Sequence, residues 1–232
     1  MSGLQNYVNG MTGGDVYQRL KEDIISLKLK PGQMISENEI ANIYNVSRTP
    51  IKNAFLRLKG EKYIEIIPQK GTFVTLLDMK SINDIVYMRA VLEMDVIESI
   101  IENGLTKQVI ANLTSTLEKQ LNLIDSKDIT PLSFYEIDSE FHQHLFEAVE
   151  RERMWEVIQD CQVYYSRFRL LDTMTTARYQ ELYMEHSNIL SALEKEDKEL
   201  IKRYVFDHLH GSFQTLVGKI EGAYRGYFIK YD

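Results

Sequence analysis

Residues 36–76 read SENEIANIYNVSRTPIKNAFLRLKGEKYIEIIPQKGTFVTL, and the order of signals in this stretch sets the fold of the first third of the chain. Ser36 and Glu39 have the S-x-x-E spacing of a capping box: the serine accepts from an early helical N–H and the glutamate reaches back, so a helix starts there. Ile40 and Ile43 give that helix an apolar side. Asn45, one of the few non-glycine residues that enters the left-handed region cheaply, ends it. Ser47 is a second N-cap, and Pro50 falls in the first turn of the next helix, where a missing N–H costs nothing because those donors lack intrahelical partners. The second helix runs to about Lys59, with Ile51, Phe55 and Leu58 on one face. Ile64, Ile66 and Ile67, then Thr72, Phe73 and Val74, read as strands around Pro68-Gln69-Lys70-Gly71. The expected unit is a helix, a tight turn, a second helix and a two-stranded wing.

Upstream, residues 1–13 have no period and read as a flexible leader. Val16, Leu20, Ile24 and Leu27 then recur at helical spacing until Pro31-Gly32 stops them, so a further helix packs on the other two and a winged helix-turn-helix occupies 14–77. From Ser81 to about Tyr224 no strand signal occurs. Helices are expected at 81–103, 106–126, 133–149, 151–171, 175–195 and 197–222, separated at Asn103-Gly104, Asp128 to Pro131, Glu150, Asp172-Thr173 and Glu196-Asp197. Short links between long amphipathic helices imply an antiparallel all-α bundle of six or seven helices over 78–222. Phe134, Phe141, Leu145, Tyr164, Phe168, Leu171, Tyr179 and Tyr183 read as core or subunit interface. The tail 223–232 is aromatic and basic and takes no assignment. The fold class is mainly α.

The 232 residues suffice for two ordinary domains, and 44% hydrophobic content supports a packed core. No apolar run approaches the length of a membrane span, and the N-terminus lacks the regions of a signal peptide. The one cysteine, Cys161, reads as a helix-core residue; it excludes an internal disulfide framework and fits a reducing cytoplasm. The net charge of −7 is uneven. Residues 1–75 hold ten Lys/Arg against seven Asp/Glu, so the excess acid lies in the helical part and any nucleic-acid contact belongs to the N-terminal part.

Two sets of residues carry chemistry. Arg48, Thr49, Lys52 and Asn53 lie opposite the apolar face of the second helix and at its N-terminal end, where side-chain donors and free N–H groups suit phosphates and base edges. Lys70-Gly71 at the wing tip would lie against DNA backbone or minor groove. In the helical part, Asp138 and His142 share a helix face one turn apart. His186 and His208 are each eleven residues from the turn at Asp197, so an antiparallel hairpin sets them at one height. These four either form one Asp-His₃ site for a first-row divalent metal, with positions open for water or a ligand, or stand as separate capping or surface residues. His144 and His210 sit two positions beyond a candidate ligand and face away. Arg89, among Val86, Ala90, Val91 and Met94, needs an anion, which is either an internal carboxylate or a bound carboxylate ligand.

These residues resemble a known family. Pro31-Gly32, Ser36-Glu37, Ile40-Ala41, Val46-Ser47-Arg48-Thr49-Pro50 and Gly71-Thr72-Phe73-Val74 resemble the GntR-type winged helix-turn-helix. Arg89 with Glu93, Asp138 with Phe141-His142, Glu185-His186, and His208 resemble the FCD ligand-binding domain of the FadR-like subgroup. The resemblance implies a homodimeric, cytoplasmic transcriptional regulator of operator DNA, most simply a repressor, with Arg48 and Thr49 on bases or phosphate, Ser47 on the backbone and Gly71 admitting the wing tip to DNA. It implies Zn, Ni or Mn on Asp138, His142, His186 and His208, and a small carboxylate effector on Arg89. The chain departs from the family pattern at Ile51-Lys52-Asn53-Ala54-Phe55, where Val-Arg-Glu-Ala-Leu is usual, and at Asn38, where relatives often have Arg. Lys52 lacks the two-pronged geometry that Arg brings to guanine, so sequence preference is expected to be set at Asn38, Lys52 and Asn53. The rival reading is a metal-dependent enzyme acting on a small organic acid, with an appended DNA-binding domain. Against it, no general base pairs with the metal set; Glu140 and Glu185 are expected to point elsewhere.

Overall fold

Thr12, the first residue described, caps the first helix with Asp15 in a complete capping box, so the last two residues of the span expected for a leader, 12 and 13, belong to the start of that helix, and residues 1–11 lie outside the described residues. The computed structural model describes residues 12–230 apart from 127, 162, 173–175, 221 and 223. α1 (Gly13–Ile25) buries Val16, Tyr17, Leu20 and Ile24. It ends well before Pro31: Ser26 caps it and Leu27 turns into the left-handed region at φ 61°, which keeps its side chain buried on a redirected chain.

β1 (Met34–Ile35) precedes α2 (Glu37–Tyr44) and α3 (Arg48–Gly60); β2 (Ile64–Ile67) and β3 (Gly71–Val74) follow. Ser36 accepts from Glu39 N at 3.1 Å, though only this half of the capping box forms. Asn45 closes α2 at φ 52°, ψ 49°. The buried side of α2 is Ile40, Ala41 and Tyr44; Ile43 is 60% exposed, because burial follows the 3–4 spacing from Ile40 to Tyr44 and leaves Ile43 toward solvent. α3 buries Ile51, Ala54, Phe55 and Leu58 against α1. Truncating Phe55, 2% exposed, to alanine is expected to cost about 3–5 kcal/mol. A lower urea midpoint for loss of the winged-helix signal, with the slope unchanged, checks this.

The wing has three strands rather than two, in the order β1-β3-β2, with Glu65 opposite Phe73 and Met34 on Phe73's other side. Two residues are too few to register as a strand in sequence; β1 exists because β3 offers it an edge. Residues from Tyr224 onward join this same unit. Phe228, 5% exposed, forms a parallel bridge with the fully buried Leu77: Leu77 N donates to Tyr227 O at 2.8 Å and Ile229 N to Leu77 O at 2.9 Å.

The second unit, Met79–Ala223, holds seven helices among the described residues: α4 (Met79–Asn103), α5 (Lys107–Asp125), α6 (Pro131–Glu147), α7 (Glu152–Cys161), α8 (Tyr165–Asp172), α9 (Thr176–Glu194) and α10 (Lys198–Ile220). Thr106 and Thr130 cap α5 and α6, the latter with Pro131 in the first turn. The single helix expected over 151–171 is two, α7 and α8. No proline or glycine marks the break, and the division has a tertiary cause: α7 buries only Trp155 and Ile158, whereas all eight residues of α8 are buried inside the bundle. Cys161, read as core, ends α7 exposed. Among the described residues no helix is long and apolar enough to cross a membrane.

Candidate functional sites

In the winged unit Asn38, Ser47, Arg48, Thr49, Lys52, Asn53 and Lys70 are all exposed. Asn38, Arg48 and Gly71 line one open groove with Met34, Ser36 and Thr72, so the first turns of α2 and α3 and the turn end of β3 meet on one face. Ser47 stands at the N-cap of α3 but makes no side-chain cap bond, which leaves the first N–H groups of α3 open to an anion. At the wing tip Lys70 N donates to Ile67 O at 3.1 Å, closing the turn. Gly71 has φ 127°, a conformation that disfavours any side chain, and a Cβ there would also meet Met34 Sδ at 3.4 Å.

In the helical unit Asp138, His142, His186 and His208 come together, all buried, with their ligand atoms within 4.8 Å of one another. α6 supplies Asp138 and His142; the α9–α10 hairpin, turning at Glu196 with φ 53°, supplies His186 and His208. His208 Nε2 lies 3.1 Å from His142 Nε2 and 3.3 Å from His186 Nε2, and His186 Nε2 lies 3.5 Å from Asp138 Oδ1.

The outer nitrogen of each ring is held from behind. His142 Nδ1 meets Glu93 Oε2 at 2.8 Å, His208 Nδ1 meets Glu185 Oε2 at 2.7 Å, and His186 Nδ1 meets the Gln120 amide at 2.9 Å. Burial works against Glu93 ionising, but Arg89 and His142 outweigh it and hold the carboxyl down at about 2. Burial likewise opposes Glu185, and His208 and Arg178 bring it below the ordinary carboxylate range. An ionised carboxylate only accepts, so Nδ1 of His142 and of His208 carries the proton. Their Nε2 atoms then face each other as lone pairs at 3.1 Å, an arrangement that repels unless a cation lies among them. Burial and the neighbouring His208 push His186 well below its usual range, keeping it neutral as a ligand must be. Ligand nitrogens about 3 Å apart are what metal–nitrogen bonds of about 2.0–2.1 Å produce between neighbouring positions. The residues fit a divalent metal, and the backing of each imidazole by a carboxylate or amide is the outer shell such sites need.

Asp138 is held by Arg169 Nη2 at 2.9 Å; burial opposes its ionisation, but Arg169 and the three imidazoles push it far below the usual carboxylate range. Arg89, 2% exposed, donates from Nε to Glu93 Oε1 at 2.8 Å and from Nη1 to Tyr165 Oη at 3.0 Å. Its Nη2 is buried without a hydrogen-bond partner. The internal-carboxylate reading of Arg89 is therefore met by Glu93, with Nη2 left outside the pair. Trp155, the chain's one tryptophan, lies 5.5 Å from the guanidinium carbon and 6.1 Å, centroid to centroid, from His142.

The expectation that Glu140 and Glu185 point elsewhere holds for Glu140, which pairs with Lys119, and fails for Glu185, which bridges His208 and Arg178. As expected, His144 and His210 face away, toward Glu147 and the Phe206 carbonyl. Gln120, Tyr165 and Arg169 went unread in the sequence. Gln120 had a signal, a polar residue on the apolar stripe Leu113, Leu117, Ile124 of α5; so did Arg169, a charge inside the continuously buried α8.

Residues 12–74 match the family of bacterial regulatory proteins named gntR, and residues 84–211, more than half of the chain, match the FCD domain. The chain belongs to the GntR family of regulators with an FCD domain. It is a DNA-binding transcriptional regulator. It is 28% identical over 194 residues to the transcriptional repressor RspR of Escherichia coli K12, covering 84% of each chain. It is likewise 28% identical over 217 residues to the gluconate operon transcriptional repressor of Bacillus licheniformis, covering 90% of this chain and 85% of that one. The fold of E. coli McbR/YncC superposes with TM-score 0.69 at 22% identity, covering 91% of this chain and 99% of that one. A GntR-type protein from Rhodococcus sp. RHA1 also gives 0.69, at 17% identity, covering 89% and 97%.

Within this GntR regulator, Glu185→Gln keeps the size of the side chain while removing the charge that fixes the His208 tautomer. It is expected to lower zinc affinity by about 10–100-fold with the helical fold intact. Calorimetric titration of the metal-stripped protein with Zn²⁺ measures this; unchanged affinity would contradict the backing role.

Proposed function

We propose that this regulator is a cytoplasmic, homodimeric repressor whose operator affinity is set by a small carboxylate bound to a divalent metal, zinc, nickel or manganese, in the helical unit. The observation that carries the reading is the unpartnered Nη2 of buried Arg89 beside the converged Asp138, His142, His186 and His208. Asp138 and the three histidines would hold the metal, and Arg89 would take a ligand oxygen end-on, since Nε and Nη1 are already engaged. The metal, when bound, supplies Lewis acidity that draws the ligand's oxygen to it. Repression is the role named for RspR and for the gluconate operon regulator.

On the DNA side, Arg48 and Thr49 would reach bases or phosphate from the first turn of α3, with Lys52 and Asn53 one turn further on and Ser47 against the backbone. Lys70 and Gly71 would bring the wing to the duplex, and Asn38 would contribute from α2. A dimer sets two such helices in successive major grooves of a pseudo-palindrome. The ligand can change this only by binding two arrangements unequally. A thermal-shift screen of organic acids against metal-loaded and metal-stripped protein tests the reading. A stabilising acid that acts only with metal present, and that alters a gel-shift titration of operator DNA, is the expected result. An acid that stabilises equally without metal would sink it.

A further inference from the structure

Both covalent connections between the two units end at one place. α4 starts at Met79, two residues after Leu77; α10 ends at Ile220, and the chain re-enters the winged unit by Tyr224. Three intervening residues span at most roughly 14 Å, which bounds the length of this second connection. The two entering strands then join: Leu77 N to Tyr227 O at 2.8 Å, Ile229 N to Leu77 O at 2.9 Å, with Leu77 fully buried and Phe228 nearly so. The turn Arg225–Tyr227 also abuts the chain just before β1, where a Cβ on Gly32, at φ 79°, would lie 3.7 Å from Gly226 O. Gly32 N in turn donates to Val74 O, the last residue of β3, so the bridge is continuous with the wing sheet.

The two helices that continue the chain from these segments are the ones the cluster uses. α4 carries Arg89 and Glu93, α10 carries His208, and the two pack against each other. We propose that the Leu77–Phe228 bridge is the joint through which the state of the metal site reaches the DNA-binding unit, making the C-terminal segment a working part of the wing's support. This rests on the regulatory reading above. A shift of α10 relative to α4 when His208, His142 and Glu93 rearrange around a cation appears at the joint as a displacement between two hydrogen-bonded segments, and the wing base lies beside them.

The test uses the full chain in three forms: native, Ile229→Pro, which removes the N–H donated to Leu77, and a chain ending at Gly222. Phe228→Ala is the milder variant should the others fold poorly. Each is titrated with operator DNA in metal-stripped buffer and with saturating Zn²⁺, and Zn²⁺ affinity is measured by calorimetry. In the native chain Zn²⁺ is expected to change operator affinity at least threefold. In the variants Zn²⁺ affinity should stay within twofold of native while the change in operator affinity disappears. A change that persists in all variants overturns the joint and leaves the regulatory reading standing. A native chain that binds Zn²⁺ with no change in operator affinity overturns both.

Discussion

Replacing His208 by alanine is expected to lower zinc affinity by about 100–1,000-fold, because His208 Nε2 is the atom on which the cluster converges, 3.1 Å from that of His142 and 3.3 Å from that of His186. Structural zinc sites bind with apparent free energies of about 10–16 kcal/mol, so loss of one of four ligands removes roughly a quarter of that. The same change leaves Glu185 without the proton it accepts and opens a gap in a fully packed region, so the variant should also unfold at lower temperature without metal. His210→Ala is the control: His210 is on the same helix, half-buried, hydrogen-bonded to the Phe206 carbonyl and stacked on the Phe206 ring away from the cluster, and the variant should bind metal as the native protein does. Trp155 gives a second readout, since a quenching ion such as Ni²⁺ in the cluster would lie near the only indole. Affinity within threefold of native in His208→Ala would show that the histidines are not the ligands.

Arg48→Ala is expected to weaken operator binding by about 5–150-fold, the range for loss of one good base contact, about 1–3 kcal/mol. Arg48 is exposed in the first turn of α3, beside the uncapped N–H groups and the groove shared with Asn38 and Gly71, so the loss should come with little change in stability. Comparison with random-sequence DNA separates its two roles. A base contact loses operator affinity alone; a phosphate contact loses both and reduces the salt slope by about 1. Equal affinity of native and variant for both DNAs would remove Arg48 from the interface. His186→Ala, in the other unit, should leave metal-free operator binding intact.

How far the sites were legible depends on whether their signals were local. The recognition helix is a run of consecutive instructions: Asn45 turning into the left-handed region, Ser47 outside the helix, Pro50 in its first turn, and Ile51, Phe55 and Leu58 on one face. Asp138 and His142 were legible because i,i+4 spacing is a property of one helix, and His186 with His208 because a hairpin maps sequence distance onto height. Glu185 is harder to read because its neighbour His186 points into the cluster, and adjacent helical residues point about 100° apart. Its partner lies on the facing helix, where sequence spacing says nothing about direction.

The sequence by itself determined the two-part order of the chain, the winged helix, the helical bundle and the pairings of Asp138 with His142 and of His186 with His208, since capping, turn chemistry and helical period act over a few residues. Tertiary structure alone decided the third strand of the wing, the division of 151–171 into α7 and α8, the backing residues Gln120, Glu185 and Arg169, and the return of the tail to Leu77. Each of these requires a partner distant in the chain: an edge to pair with, an interior to fill, a charge to balance. Such a partner becomes available only once the local elements have packed, and the buried polar groups among them are then obliged to find one another.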